Sequence, residues 1–143
     1  MIKIEKPLYT ATVNVEGGRE GRAVSSDNYL NVSMRVPKEL GGPGGEGTNP
    51  EQLFAAGFAA CFEGAMGVAL RNKKIKADSI QIASQVTLGK DTEDKFVLAV
   101  KLDVTVKGVA SDIAKQVIEE AHGICPYYRA TVGNIEIQTN LVG

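Results

Sequence analysis

Three features of the sequence point to an α+β fold. Residues near both ends alternate apolar and polar side chains with the period of a half-buried strand, and one long apolar segment follows a helix cap. The strand patterns also come in groups instead of alternating regularly with helices, so antiparallel sheets packed around a long central helix are expected. With 143 residues, 43% hydrophobic and 23% charged, the chain has the size and balance of one soluble domain over 1–143. A domain of this size buries roughly two-thirds of its unfolded surface, enough for a core, and gains further burial by pairing with a copy of itself.

Residues 8–15 place Tyr9, Ala11, Val13 and Val15 on one face and Thr10, Thr12 and Asn14 on the other, after which Gly17-Gly18 turns the chain. Residues 29–36 repeat the alternation through Leu30, Val32, Met34 and Val36, so the opening third reads as an antiparallel sheet. Residues 37–47 hold five glycines and two prolines and read as a loop. It is not a phosphate-binding loop, because Thr48-Asn49-Pro50 stands where such a loop needs Gly-Lys-Ser/Thr.

Thr48-Asn49-Pro50-Glu51 starts a helix: Asn or Thr as the cap, proline near the first helical position, and a carboxylate in the first turn. The helix runs to about residue 72. Leu53, Phe54, Phe58, Phe62, Ala65, Met66 and Leu70 leave it almost no polar face, so it is expected to be central and covered on most sides. It nears membrane length, but Glu63, three glycines and the flanking strand patterns mark a buried helix instead of a span. Arg71, Lys73, Lys74 and Lys76 follow, where cations complement the helix dipole. No aromatic residues interleave with them and the net charge is −1, so nucleic acid is not an expected partner.

Residues 80–88 and 96–106 read as two strands of a hairpin joined by the polar turn at 89–94. Ser111-Asp112 caps a second helix that carries Ile113, Val117, Ala121 and Ile124 on one face; Pro126 ends it, and residues 134–141 return as a last strand. The N-terminal residues lack the apolar stretch of a secretory signal, which makes the cytoplasm the expected compartment.

The two cysteines, Cys61 and Cys125, lie far apart in the chain. Reducing compartments rarely hold structural disulfides, so they are either two packed apolar thiols or a redox couple. Cys61 sits in the most apolar helix, where burial disfavours a thiolate unless a cation stands nearby. Cys125 follows His122 by about one turn, yet with a single histidine and no oxyanion motif a structural role for His122 is the simpler reading. Taken singly, Glu51 suits the dipole of the first turn, and Arg19 and Arg22 are solvated charges beside a glycine turn.

Residues 17–27 (GGREGRAVSSD), residues 48–62 (TNPEQLFAAGFAACF) and Cys125-Pro126-Tyr127 with Ala130-Thr131 and Gly133-Asn134-Ile135 resemble the organic hydroperoxide resistance branch of the Ohr/OsmC proteins. The order of elements fits over the whole length. The resemblance implies an OsmC-like fold, an intertwined homodimer and a dithiol peroxidase re-reduced by the lipoyl groups of a lipoylated protein, with no metal, flavin or haem. It places the family's site residues at Arg19, Glu51, Cys61 and Cys125. Where the family usually reads Ser-Asn-Ala-Thr-Arg-Gly-Asn, this chain has Tyr128-Arg129-Ala130-Thr131-Val132-Gly133-Asn134, a departure that bears on reductant or substrate preference.

The physics of these four residues fits the implied roles. A guanidinium beside Cys61 offsets desolvation of the thiolate and polarises the leaving oxygen, and a carboxylate with fork geometry holds that guanidinium in place. The resulting sulfenic acid needs a second thiol before further oxidation, which is Cys125. On one helix Glu51 and Cys61 differ by about 15 Å in height and roughly 80° in direction, so Glu51 and Arg19 are expected to reach the cysteines across a subunit interface. Phe54, Phe58, Phe62 and Met66 are either core or the wall that favours hydroperoxides with alkyl or aryl tails. The alternatives are a related peroxidase that prefers hydrogen peroxide or acts as a redox sensor, and a non-catalytic dimer that binds a hydrophobic ligand.

Overall fold

In the computed structural model, which describes residues 1–143, the strands and helices are β1 (Val13–Glu16), β2 (Arg22–Ser25), β3 (Asn31–Ser33), α1 (Pro50–Asn72), β4 (Ser79–Lys90), β5 (Phe96–Lys107), α2 (Ser111–Ile124), α3 (Pro126–Thr131) and β6 (Glu136–Leu141). The chain divides into two units, Met1–Pro50 and Glu51–Gly143.

In the first unit β1, β2 and β3 form an antiparallel sheet in that order. The strands are shorter than the alternation in the sequence suggests, and the four-residue strand β2 has no counterpart in that reading. Of its residues only Ala23 is buried, too weak a signal to stand out from the glycine turn before it. That turn depends on its glycines: Gly17 has φ 76°, and a side chain at Gly21 would strike the Glu16 carbonyl. Between them the 3₁₀ turn Gly18–Glu20 displays Arg19 on the surface. The Glu20 carboxylate accepts the Val36 N–H at 3.1 Å and ties this turn to the chain beyond β3.

In the second unit β4 and β5 pair antiparallel over their whole lengths, from Ser79↔Lys107 to Lys90↔Phe96. The Asp91 carboxylate, which accepts the N–H groups of Glu93 and Lys95, closes the hairpin. β6 then pairs with β5 in parallel, from Ala99↔Glu136 to Val104↔Leu141. This corrects the expectation of purely antiparallel sheets. α2 and α3 act as a helical crossover that carries the chain back along the sheet, the connection a parallel pair needs.

Val100, Leu102, Val104 and Val106 alternate into the core from the central strand β5. On them lie Phe58, Phe62, Met66 and Leu70 of α1 and Ala114, Val117, Ile118 and Ala121 of α2, in one cluster. Each fully buried phenylalanine contributes about 1.5–3 kcal/mol relative to an exposed one, so this face fixes α1. The opposite face of α1 is not covered as the sequence suggested: Gln52, Ala56, Ala60, Glu63 and Gly64 are exposed, because the sheet and α2 reach only the phenylalanine side. Lys73 of the basic exit pairs with Glu120 of α2 at 2.7 Å. Ser111 is the first residue of α2 and Ala110 its cap, with no side-chain cap bond.

Candidate active site

Cys61 and Cys125, 64 positions apart, come together with their sulfurs at 3.2 Å, both as free thiols. Cys61 is carried in the middle of α1, three residues after the core residue Phe58 and directly before Phe62. Cys125 owes its place to Pro126. A proline disfavours helical geometry in the residue before it, so Cys125 adopts extended backbone (φ −68°, ψ 115°) and α2 stops at Ile124. Pro126 is tolerated as the first residue of α3, where no intrahelical N–H is needed. Cys125 thus ends one helix and caps the next, and its sulfur accepts the Tyr128 N–H at 3.4 Å.

The two thiols stand in different environments. Cys125 is fully buried, whereas Cys61 keeps part of its surface open. Burial pushes the Cys125 thiol up from 9.0 to about 11; the adjacent Cys61 adds to the rise and the Tyr128 N–H opposes it. Cys125 therefore keeps its proton near neutral pH and donates it to the Cys61 sulfur. Of the two residues, Cys61 is the one with accessible surface.

Aromatic rings border it. Phe54, Phe58 and Cys61 lie at helical spacing on one side of α1. Phe54 meets Phe58 at 6.0 Å between centroids, and Tyr127 of α3 meets Phe58 edge-on at the same distance. Gly57 lets Tyr127 approach: a β-carbon there would lie 3.2 Å from the ring. Phe58, Phe62 and Met66 are wholly buried in the core, while Phe54 and Tyr127 keep exposed surface. Tyr127 belongs to the Cys-Pro-Tyr motif, but its place against Phe58 follows from α3, a helix that the sequence reading did not contain.

On the other side of Cys125, the His122 ring stacks on Tyr128 at 4.2 Å and 13°, and Phe62 packs on both rings. His122 Nε2 is hydrogen-bonded to the Thr139 hydroxyl of β6 at 2.9 Å. Of the other two candidates, Glu51 is the second residue of α1 and Arg19 lies in the 3₁₀ turn of the first unit. α1 is unbroken between Glu51 and Cys61, so the axial separation of about 15 Å applies.

The family model described as OsmC-like protein matches residues 42–140. The chain is 46% identical over 142 residues to the organic hydroperoxide resistance protein of Xanthomonas axonopodis pv. citri, covering 99% of each. It is 41% identical over 140 residues to organic hydroperoxide resistance protein OhrA of Bacillus subtilis, covering 94% of this chain and 96% of that one. Among crystal structures, an organic hydroperoxide resistance protein from Legionella pneumophila superposes with a TM-score of 0.90 at 38% identity, covering 96% of this chain and 100% of that one. OhrB of Bacillus subtilis superposes with a TM-score of 0.86 at 39% identity, covering 95% and 100%. This chain belongs to the OsmC-like family, in its organic hydroperoxide resistance branch.

Proposed function

We propose that the protein is a cytoplasmic thiol peroxidase that reduces organic hydroperoxides to alcohols, with Cys61 as nucleophile and Cys125 as resolving thiol. The observation that carries this reading is the 3.2 Å approach of two sulfurs, one on a partly exposed residue and one on a buried residue. The relatives named for organic hydroperoxide resistance support the substrate class.

The Cys61 thiolate attacks the terminal oxygen of the hydroperoxide and the O–O bond breaks. The alkoxide leaves and takes up a proton to become the alcohol, and Cys61 is left as a sulfenic acid. The Cys125 sulfur then attacks the Cys61 sulfur, giving a disulfide as the hydroxyl departs as water with the Cys125 proton. An external dithiol, for which lipoyl groups are our proposal, returns both thiols and becomes a disulfide itself. Arg19 stabilises the thiolate and the departing alkoxide, and Glu51 orients Arg19.

With cumene hydroperoxide and hydrogen peroxide as oxidants, and dihydrolipoamide or thioredoxin as reductant, we expect rapid turnover of the organic peroxide with dihydrolipoamide. Preference for hydrogen peroxide would point to another function within the family, and turnover of neither to a binding module. Phe54→Ala is expected to raise KM for cumene hydroperoxide by about tenfold and to leave hydrogen peroxide unaffected, since it removes apolar contact surface. An equal change for both peroxides would take Phe54 out of the substrate wall.

The closing step requires Cys125 to lose its proton. Because burial holds that thiol above its ordinary value, the rate of disulfide formation should climb with pH through the neutral range and into the alkaline one. Stopped-flow records after a single addition of peroxide test this, and a rate independent of pH would contradict it.

The length of α1 between Glu51 and Cys61 supports a catalytic unit of two chains, with Arg19 and Glu51 supplied to the cysteines by the partner. Arg19→Ala and Cys61→Ser subunits, each inactive alone, should then regain activity when co-expressed, because each mixed dimer holds one intact site. If the mixture stays as inactive as its parents, all four groups belong to one protomer.

A further inference from the structure

His122, Cys125 and Tyr128 follow one another at intervals of three, with the break between α2 and α3 at the middle residue. On one continuous helix, residues six apart differ by about 9 Å in height and point roughly 120° away from each other. The His122 and Tyr128 rings nevertheless stack at 4.2 Å, nearly parallel. The stack therefore exists only because the chain bends at Cys125-Pro126, and it spans that bend as a brace. Both ends of the brace are anchored: His122 on the Thr139 hydroxyl of β6, and Tyr128 on Phe62, the residue next to Cys61 on α1.

We infer that the His122–Tyr128 stack is a positioning device for Cys125, which holds the bend between α2 and α3 so that the buried sulfur faces Cys61, and that it sets the rate of disulfide closure. The inference rests on the proposed roles of the two cysteines. The step concerned is the attack of the Cys125 sulfur on the Cys61 sulfenic acid, which forms the S–S bond and releases water. An unbraced bend lets Cys125 swing away, and a small misplacement of a reacting group lowers such an intramolecular rate steeply. Peroxide attack, in which Cys125 forms no covalent bond, feels the brace much less. A ring at position 128 is what the stack needs; the Tyr128 hydroxyl is not part of it.

The test follows the two steps separately in the full chain after one addition of cumene hydroperoxide, with the sulfenic acid trapped by dimedone and the disulfide read by mass spectrometry. Tyr128→Leu keeps an apolar side chain against Phe62 without the stack. Its closure should slow by about tenfold relative to attack, and excess peroxide should drive Cys61 to the sulfinic acid. Tyr128→Phe should close as the parent does. His122→Leu removes the stack from the other side and should reproduce the Tyr128→Leu ratio, so either folded variant decides the matter. An unchanged ratio in Tyr128→Leu, or slow closure in Tyr128→Phe, overturns the inference while leaving the peroxidase reading in place. If the parent chain itself forms no Cys61–Cys125 disulfide, the peroxidase reading fails and the positioning role with it.

Discussion

Replacement of Cys61 by serine is expected to abolish turnover of organic hydroperoxides, a loss of at least about a thousandfold. Serine nearly matches cysteine in volume, so the α1 packing set by Phe58 and Phe62 survives, but an unactivated hydroxyl does not attack the O–O bond. The assay is consumption of cumene hydroperoxide with dihydrolipoamide. Activity that persisted in Cys61→Ser would remove the nucleophile from the account. Burial assigns the roles in this order: Cys61 retains accessible surface, whereas Cys125 has none and holds its proton.

Cys125→Ser should fail differently. Its Cys61 remains able to attack, so the variant should consume about one equivalent of hydroperoxide in a burst and then stall, because the sulfenic acid has no thiol to close upon. Continued exposure should convert Cys61 to sulfinic acid, which reductant does not reverse. A burst followed by steady turnover at the parent rate would mean that an external thiol resolves Cys61 directly and that Cys125 is only a packed neighbour. The serine hydroxyl at this position can still accept the Tyr128 N–H, so loss of the helix cap does not confound the result.

The sequence made the cysteine-bearing helix legible because its signals are local. Asn49, Pro50 and Glu51 mark its start, apolar residues fill its length, and the structure places it at Pro50–Asn72. The hairpin of β4 and β5 was legible for the same reason: its alternation is long and its turn polar. β2 was not, since four residues with one buried alanine give no period. The parallel pairing of β6 depends on where the crossover helices deliver the chain, which no property of residues 136–141 encodes.

The site divides along the same line. Motif resemblance named Cys61, Cys125, Arg19 and Glu51, and local chemistry explained why such residues would act together. Tyr127 and Tyr128 went unassigned because their positions depend on α3, whose proline and cysteine read as a helix end. The stack of His122 on Tyr128 was beyond reach of helical periodicity, which points residues six apart away from each other.

The proposed chemistry stands or falls on Cys61 and Cys125 forming one redox couple. Peptide mapping of the protein after reaction with about one equivalent of cumene hydroperoxide, in the absence of reductant, tests it most directly. A Cys61–Cys125 disulfide within one chain is expected in proportion to the alcohol produced. Alcohol formed while both thiols remain free, or a disulfide joining two chains, would contradict it.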